Sequence, residues 1–238
     1  MTAPRPFIVA IDGPAGAGKS SASRLLAARL GFALVDTGAI YRTVALAASR
    51  QGIAFDDDAR LGPLLASLGI RFAPPAEPGG AQQVFLGGED VSAAIRTPPM
   101  SLGASAVSAR PVVRAGLLEL QRRLAASPEN RGAVLEGRDI GTVVFPDADL
   151  KVFLTASEDC RARRRFVELQ AKGDGSSFDQ VLADQRRRDK NDSERELAPL
   201  KPAADARIFD TSGIPLAQVV EQLAREVEDT LAARGGAR

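Results

Sequence analysis

A chain of 238 residues, 45% hydrophobic and 26% charged, has room for one domain with a full core plus a small inserted or appended piece. Its composition is that of a soluble globular protein and excludes a disordered tail or a membrane protein. Lys and Arg number 31 against 30 Asp and Glu, so no net field draws a nucleic-acid polymer, and any bound anion must meet a local cluster.

No apolar run approaches the roughly 18 residues that span a bilayer, and Met1 to Pro6 is too short and polar for a secretion signal, so a cytoplasmic location is expected. Phe7-Ile8-Val9-Ala10-Ile11 reads as a buried strand stopping at Asp12-Gly13-Pro14. Ser20 to Leu30 has helical spacing and ends at Gly31, Phe32 to Val35 is a second strand, and Gly38 to Ser49 a second helix. From Gly69 to Arg96 the texture breaks at Pro74, Pro75, Pro78, Gly79, Gly80, Gly87 and Gly88. Alternation around Gln83-Val84-Phe85-Leu86 predicts antiparallel hairpins there.

Helical patterns return from Pro99 to Ala126, interrupted at Pro111. Gly132 to Leu135, Asp149 to Leu154 and Ala206 to Phe209 read as strands. Two charged helical stretches, Glu158 to Lys172 and Phe178 to about Arg195, lie between the last two. The helix Pro215 to Ala232 precedes a tail, Gly235 to Arg238, expected to fray. Alternating strands and helices imply an α/β fold, with a mainly parallel sheet covered on both faces and ligands beyond the carboxyl ends of its strands.

Cys160 is the only cysteine, which excludes an internal disulfide and a thiolate metal cluster; a buried or half-buried thiol is expected. Histidine is absent, so chemistry falls to carboxylates, cations and a borrowed metal ion. Only Lys19, Lys151, Lys172, Lys190 and Lys201 are lysines, so 26 of the cations are arginines. Guanidinium forks suit phosphate oxygens, although a general preference for Arg and Ala codons would give the same total.

Gly13-Pro14-Ala15-Gly16-Ala17-Gly18-Lys19-Ser20 satisfies the P-loop pattern in full, between a strand and a helix. Such a loop aims backbone N–H groups and a helix N-terminus at a triphosphate, its lysine bridges the outer phosphates, and Ser20 or Ser21 helps place Mg²⁺. The motif does not separate kinase, switch GTPase and motor ATPase. In Asp36-Thr37-Gly38-Ala39-Ile40-Tyr41-Arg42 a hydroxyl and a guanidinium open a helix and suit a second phosphate; an ordinary N-cap with a solvated arginine is the alternative reading.

Glu136-Gly137-Arg138-Asp139 follows a strand. Three charges in four residues are rarely all buried, so an exposed string is expected, either a salt-bridged loop or a site in which Arg138 meets phosphate and Asp139 a base or sugar. Arg188, Asp192 and Arg195 have i, i+4, i+7 spacing and share one helical face. Spacing alone favours intrahelical ion pairs over a phosphate clamp. Arg161, Arg164 and Arg165 invite the same two readings.

Taken in order over nearly the whole chain, Ala10 to Pro14 with the P-loop, Asp36 to Arg42, Gly88-Glu89-Asp90-Val91 with Ile95-Arg96, Glu136 to Asp147 and Ala198-Pro199-Leu200 resemble the bacterial cytidylate kinase family. The resemblance implies a P-loop kinase fold with a central mainly parallel five-stranded sheet flanked by helices. The core would comprise residues 1–68 and 97–238, with an arginine-rich helical lid at about 158–195 and a small antiparallel β insertion at 69–96 that binds CMP. It implies transfer of the γ-phosphoryl group of ATP to CMP or dCMP with Mg²⁺ in pyrimidine nucleotide metabolism, by a monomer that needs neither membrane nor nucleic-acid polymer.

Carried over by position, residues 13–21 (Gly13, Pro14, Ala15, Gly16, Ala17, Gly18, Lys19, Ser20 and Ser21) with Arg161 would hold ATP, and Ser20 its Mg²⁺. Ser105, Arg114 and Asp139 would recognise cytosine; Thr37, Arg42, Arg138 and Arg195 the CMP phosphate; Arg188 and Asp192 the pentose. Lys19, Arg42, Arg138 and Arg195 would be catalytic. Thr37 stands where Ser is expected and Ser20 where Gly often follows the lysine, and both keep a hydroxyl. A kinase for another small acceptor is the rival among enzymes. A GTP-dependent switch would need a guanine-reading Asn-Lys-x-Asp segment, which is not found; Asp210-Thr211-Ser212-Gly213 mimics a switch motif at the wrong end of the chain.

Overall fold

The computed structural model describes residues 5–73, 81–127, 129–171 and 173–236. Its elements begin with β1 (Phe7–Asp12), α1 (Lys19–Leu30), β2 (Ala33–Asp36), α2 (Thr37–Arg50), α3 (Asp58–Ser67), β3 (Ile70–Ala73), β4 (Gln83–Leu86), β5 (Glu89–Asp90), α4 (Pro98–Ser108) and α5 (Pro111–Ala125). They continue with β6 (Gly132–Gly137), β7 (Leu150–Thr155), α6 (Glu158–Ala171), α7 (Phe178–Glu194), β8 (Arg207–Asp210) and α8 (Leu216–Gly236). The expected prolines and glycines at 74–80, Lys172 and the last two tail residues lie outside the described residues; Gly235 and Gly236 close α8.

Two compact units emerge, residues 1–35 with 122–238, and 36–121. In the first, a five-stranded sheet has the order β2-β6-β1-β7-β8. Every residue of β1 and of β6 is buried, as befits central strands covered on both faces. Phe7, Val9, Ile11, Leu26, Val134, Val152, Leu154, Leu223 and Val227 form its core. β1 pairs in parallel with β6 and with β7, and β7 in parallel with β8. The register Asp12↔Gly137 ends β1 and β6 at one level, so the P-loop and the Arg138-Asp139 string leave adjacent strands side by side, roughly 4.8 Å apart.

In the second unit β3, β4 and β5 form an antiparallel sheet. Gly87 and Gly88 turn between β4 and β5 with φ of 58° and 94°, a pair of left-handed residues suited to a two-residue hairpin. Val84, Val91 and Ile95 pack with Ala39 of α2 in this unit's core. α3 is an addition to the expected elements. Asp57 caps it by accepting from Arg60 N at 3.1 Å, while Gly62 and Pro63 inside it conceal the helical pattern. Among the described residues no helix is long and apolar enough to cross a membrane, and Cys160 is free and half-buried, as expected.

Candidate active site

Gly13 opens the loop with φ 145°, and a Cβ built there would lie 1.9 Å from the Leu154 carbonyl oxygen; no other residue fits so close to β7. The loop's carbonyls are then taken up in turn. Lys19 Nζ donates to Pro14 O at 2.8 Å, and Arg161 Nη1 to Ala15 O at 3.0 Å. The Thr211 hydroxyl lies 3.2 Å from Ala17 O and accepts from Arg164 Nη1 at 2.9 Å. The segment Asp210 to Gly213, which resembles a switch motif, is thus a strut under the P-loop. Lys19 is buried. Burial first, then the charge of Arg138, lowers its pKa well below the usual lysine range, against the pull of Glu136 and Asp12.

Arg161 is one of the least exposed arginines, with its Nε on Ala156 O at 3.0 Å and its Nη1 on Asp189 Oδ2 at 2.5 Å as well as on the loop. α7 starts with a capping box, Ser177 and Gln180 exchanging side-chain and backbone hydrogen bonds. Along α7 Asp192 is buried and Asp189 partly so.

At the end of β6 the structure departs from expectation. Glu136 and Asp139 are buried, each 4% exposed, because each carboxylate has a partner. Ser20 Oγ donates to Glu136 Oε2 at 2.7 Å, and Arg195 Nη2 lies 3.9 Å from Asp139 Oδ1. Arg138 Nε donates to Asp192 Oδ2 at 3.0 Å. Asp192 therefore pairs across to another element, and its chain neighbours Arg188 and Arg195 also act on its charge. Burial pushes its carboxyl up, but Arg138, Arg188 and Arg195 together hold it below the usual aspartate value.

Arg195 is not on the helical face. α7 ends at Glu194, and Arg195 is its extended C-cap. Its Nε donates to Ala198 O at 2.5 Å, and Ala198, at φ 50°, is the one non-glycine residue with positive φ among the described residues. The turn, stapled by Leu200 N on Asp192 O at 2.7 Å, delivers Arg195 to Asp139. Beyond Asp139, residues Ile140–Val144 form a π turn, a form that recurs at functional sites.

The remaining expected residues belong to the second unit. Thr37 is the buried first residue of α2. Asp36 caps that helix through Ala39 N at 2.8 Å and pairs with Arg42 at 3.0 Å. The N-cap reading therefore holds, and Arg42 is ion-paired rather than solvated. Ser105 on α4 and Arg114 on α5 converge on Ser108, whose hydroxyl donates to Ser105 O at 2.9 Å and whose carbonyl accepts from Arg114 Nη1 at 3.3 Å.

Two carboxylates, Asp12 and Glu136, join the expected site residues. Asp12 sits at the last position of an otherwise apolar strand, a sign readable in the sequence, and accepts from Ile140 N and Gly141 N, both at 2.8 Å. Burial raises its pKa to about 6 despite those two N–H groups. Glu136 is the penultimate residue of β6, beside the P-loop strand, and only the pairing order shows that it faces Ser20. A carboxylate and a hydroxyl are hard oxygen donors of the kind Mg²⁺ takes. Among the described residues no group of three or more acidic, histidine or cysteine side chains could hold a metal.

Residues 9–229 match the family model for cytidylate kinase. A cytidylate kinase of Geobacter sulfurreducens is 53% identical over 233 residues, 98% of this chain and 97% of that one. A cytidylate kinase of Pseudomonas entomophila is 46% identical over 220 residues, 92% of this chain and 95% of that one. The crystal structure of an uncharacterized protein from Eubacterium ventriosum shares the fold at a TM-score of 0.50 and 11% identity, covering 93% of this chain and 98% of that one.

Proposed function

The chain belongs to the cytidylate kinase family, and from that premise we propose that it transfers the γ-phosphoryl group of ATP to CMP or dCMP, releasing ADP and CDP or dCDP. One observation carries the reading at the site. The P-loop leaves β1 level with the Arg138-Asp139 string that leaves β6, in the register Asp12↔Gly137, so a triphosphate cradle and an arginine suited to a second phosphate come from adjacent strand ends.

In-line phosphoryl transfer asks a protein to position two phosphates and to stabilise charge on the moving group. Lys19 and the N–H groups of residues 13–21 take the ATP phosphates, with Arg161 bracing the loop. Arg138 and Arg195, with Thr37 and Arg42, hold the CMP phosphate; Arg188 and Asp192 take the pentose; Asp139, Ser105 and Arg114 read cytosine. Ser20 and Glu136 would hold Mg²⁺ arriving with ATP, which when bound neutralises charge on the phosphates. α6 and α7 act as a lid that excludes water, and residues 69–96 assist CMP binding. The protein works as a cytoplasmic monomer.

The test is initial-rate transfer from ATP to CMP, dCMP, UMP and AMP in turn. CMP and dCMP are the expected acceptors; a preference for UMP or AMP would overturn the base assignment.

A further inference from the structure

We infer that Asp12 is a positioning residue that locks the Arg138-Asp139 string to the P-loop, keeping Asp139 available to the acceptor nucleotide. The inference rests on the proposed transfer to CMP and adds a residue to it.

A helical turn begins with N–H groups that have no partner inside it, and the residue just before the turn, when it is Asp, Asn, Ser or Thr, normally supplies one. Here that residue is Asp139, yet its side chain makes no cap bond. It lies against Arg195 instead. Within the π turn the later N–H groups are satisfied locally, Val143 and Val144 by Asp139 O and Phe145 by Ile140 O. The first two, on Ile140 and Gly141, go to Asp12, one to each carboxylate oxygen. Asp12 thus performs from another strand the capping that Asp139 would perform locally.

The arrangement is tight and one-sided. A Cβ on Gly141 would lie 3.5 Å from Asp12 Oδ2 and 3.1 Å from Lys151 Cδ, so the turn is held between the two side chains. Farther along, Arg122 Nε donates to Val144 O at 2.9 Å and Lys151 Nζ to Pro146 O at 2.6 Å. Asp12 also adjoins Gly13 in the chain. Its carboxylate is therefore a direct tie between the donor loop and the acceptor string.

Asp12→Asn keeps the shape but turns an amide N–H toward one of the two backbone N–H groups. The turn then lacks a cap, and Asp139 is the nearest carboxylate to supply one. Wild-type transfer to CMP is measured first; its absence would overturn the functional reading and not the tie. With that established, Asp12→Asn is expected to raise the CMP KM about tenfold and lower the CMP-to-UMP preference, with the ATP KM changed less than about threefold. Combined with Asp139→Ala it should add little to the effect of Asp139→Ala alone, because both remove the same contact.

A lowered melting temperature with both KM values unchanged, equal rises for ATP and CMP, or simple additivity in the double variant would overturn the role. Should Asp12→Asn fail to fold, Gly141→Ala shifts the same N–H pair with Asp12 intact. A rise in KM confined to CMP is expected there also, and no change in the CMP KM would overturn the inference.

Discussion

Arg161 and Asp189 meet at 2.5 Å, and the same guanidinium nitrogen reaches the carbonyl of Ala15 at 3.0 Å. One ion pair thus connects the P-loop to the helix that carries Arg188 and Asp192. Arg161→Met should leave the Ala15 carbonyl and the Asp189 carboxylate without this donor, raising the ATP KM about tenfold. Asp189→Ala, which leaves the Arg161 bond to Ala15 in place, should raise it less. Initial rates at varied ATP for both variants check the order.

Asp139→Ala removes the proposed base contact and the partner of Arg195. The CMP KM should rise about tenfold to a hundredfold and discrimination against UMP should weaken. The ATP affinity, measured by nucleotide titration, should stay near wild type. An unchanged CMP KM would remove Asp139 from the acceptor site.

The raised pKa of Asp12 has a measurable sign. Its carboxyl titrates near 6 in the folded chain and near 3.8 when unfolded. From about pH 4 to 6 the folded state holds a proton that the unfolded state has released, and stability falls as pH rises through that window. The shift corresponds to roughly 3 kcal/mol. Asp139 strengthens it and Lys19 weakens it, while across Gly141 the Lys151 stem closes the other side. Denaturant unfolding at pH 4, 5, 6 and 7 should show that slope in the difference between wild type and Asp12→Asn.

Gly13→Ala sets a methyl group into the Leu154 carbonyl, 1.9 Å away, at a φ that side chains avoid. Neither backbone can yield without disturbing β1 or β7. A loss of several kcal/mol is expected, seen as a melting temperature lowered by roughly 10 °C or as insoluble protein.

Chelation of divalent cations should abolish transfer to CMP. Glu136→Gln and Ser20→Ala, which alter the 2.7 Å pair, should each raise the Mg²⁺ concentration needed for half-maximal rate while leaving CMP binding intact. Titration of Mg²⁺ at saturating ATP and CMP separates the two effects.

Elements with a strong period were legible. The apolar run of β1, the glycine loop, the helix that follows and the antiparallel alternation at Gln83–Leu86 each carry their own local signal, and they appear where expected to within a few residues. α3 was hidden because Gly62 and Pro63 oppose helix locally while Asp57 and buried Leu61 and Leu64 secure it. Glu136 and Asp139 looked like surface charges because burial of a carboxylate depends on partners, and Ser20 and Arg195 lie more than 50 residues away in the chain.

Residue order alone made the P-loop pattern of Gly13 to Ser20 legible, because the pattern is local: its glycines, its lysine and the helix start are contiguous. The family and its two-nucleotide reaction were legible in a run of such local motifs. Tertiary structure alone decided what each charge faces. Parallel pairing of β1 with β6 sets Asp12 level with Gly137, and the turn after α7 returns Arg195 to Asp139. A charged side chain's role is set by the low-dielectric surroundings and the counter-charge that folding supplies, and neither is written in its neighbours along the chain.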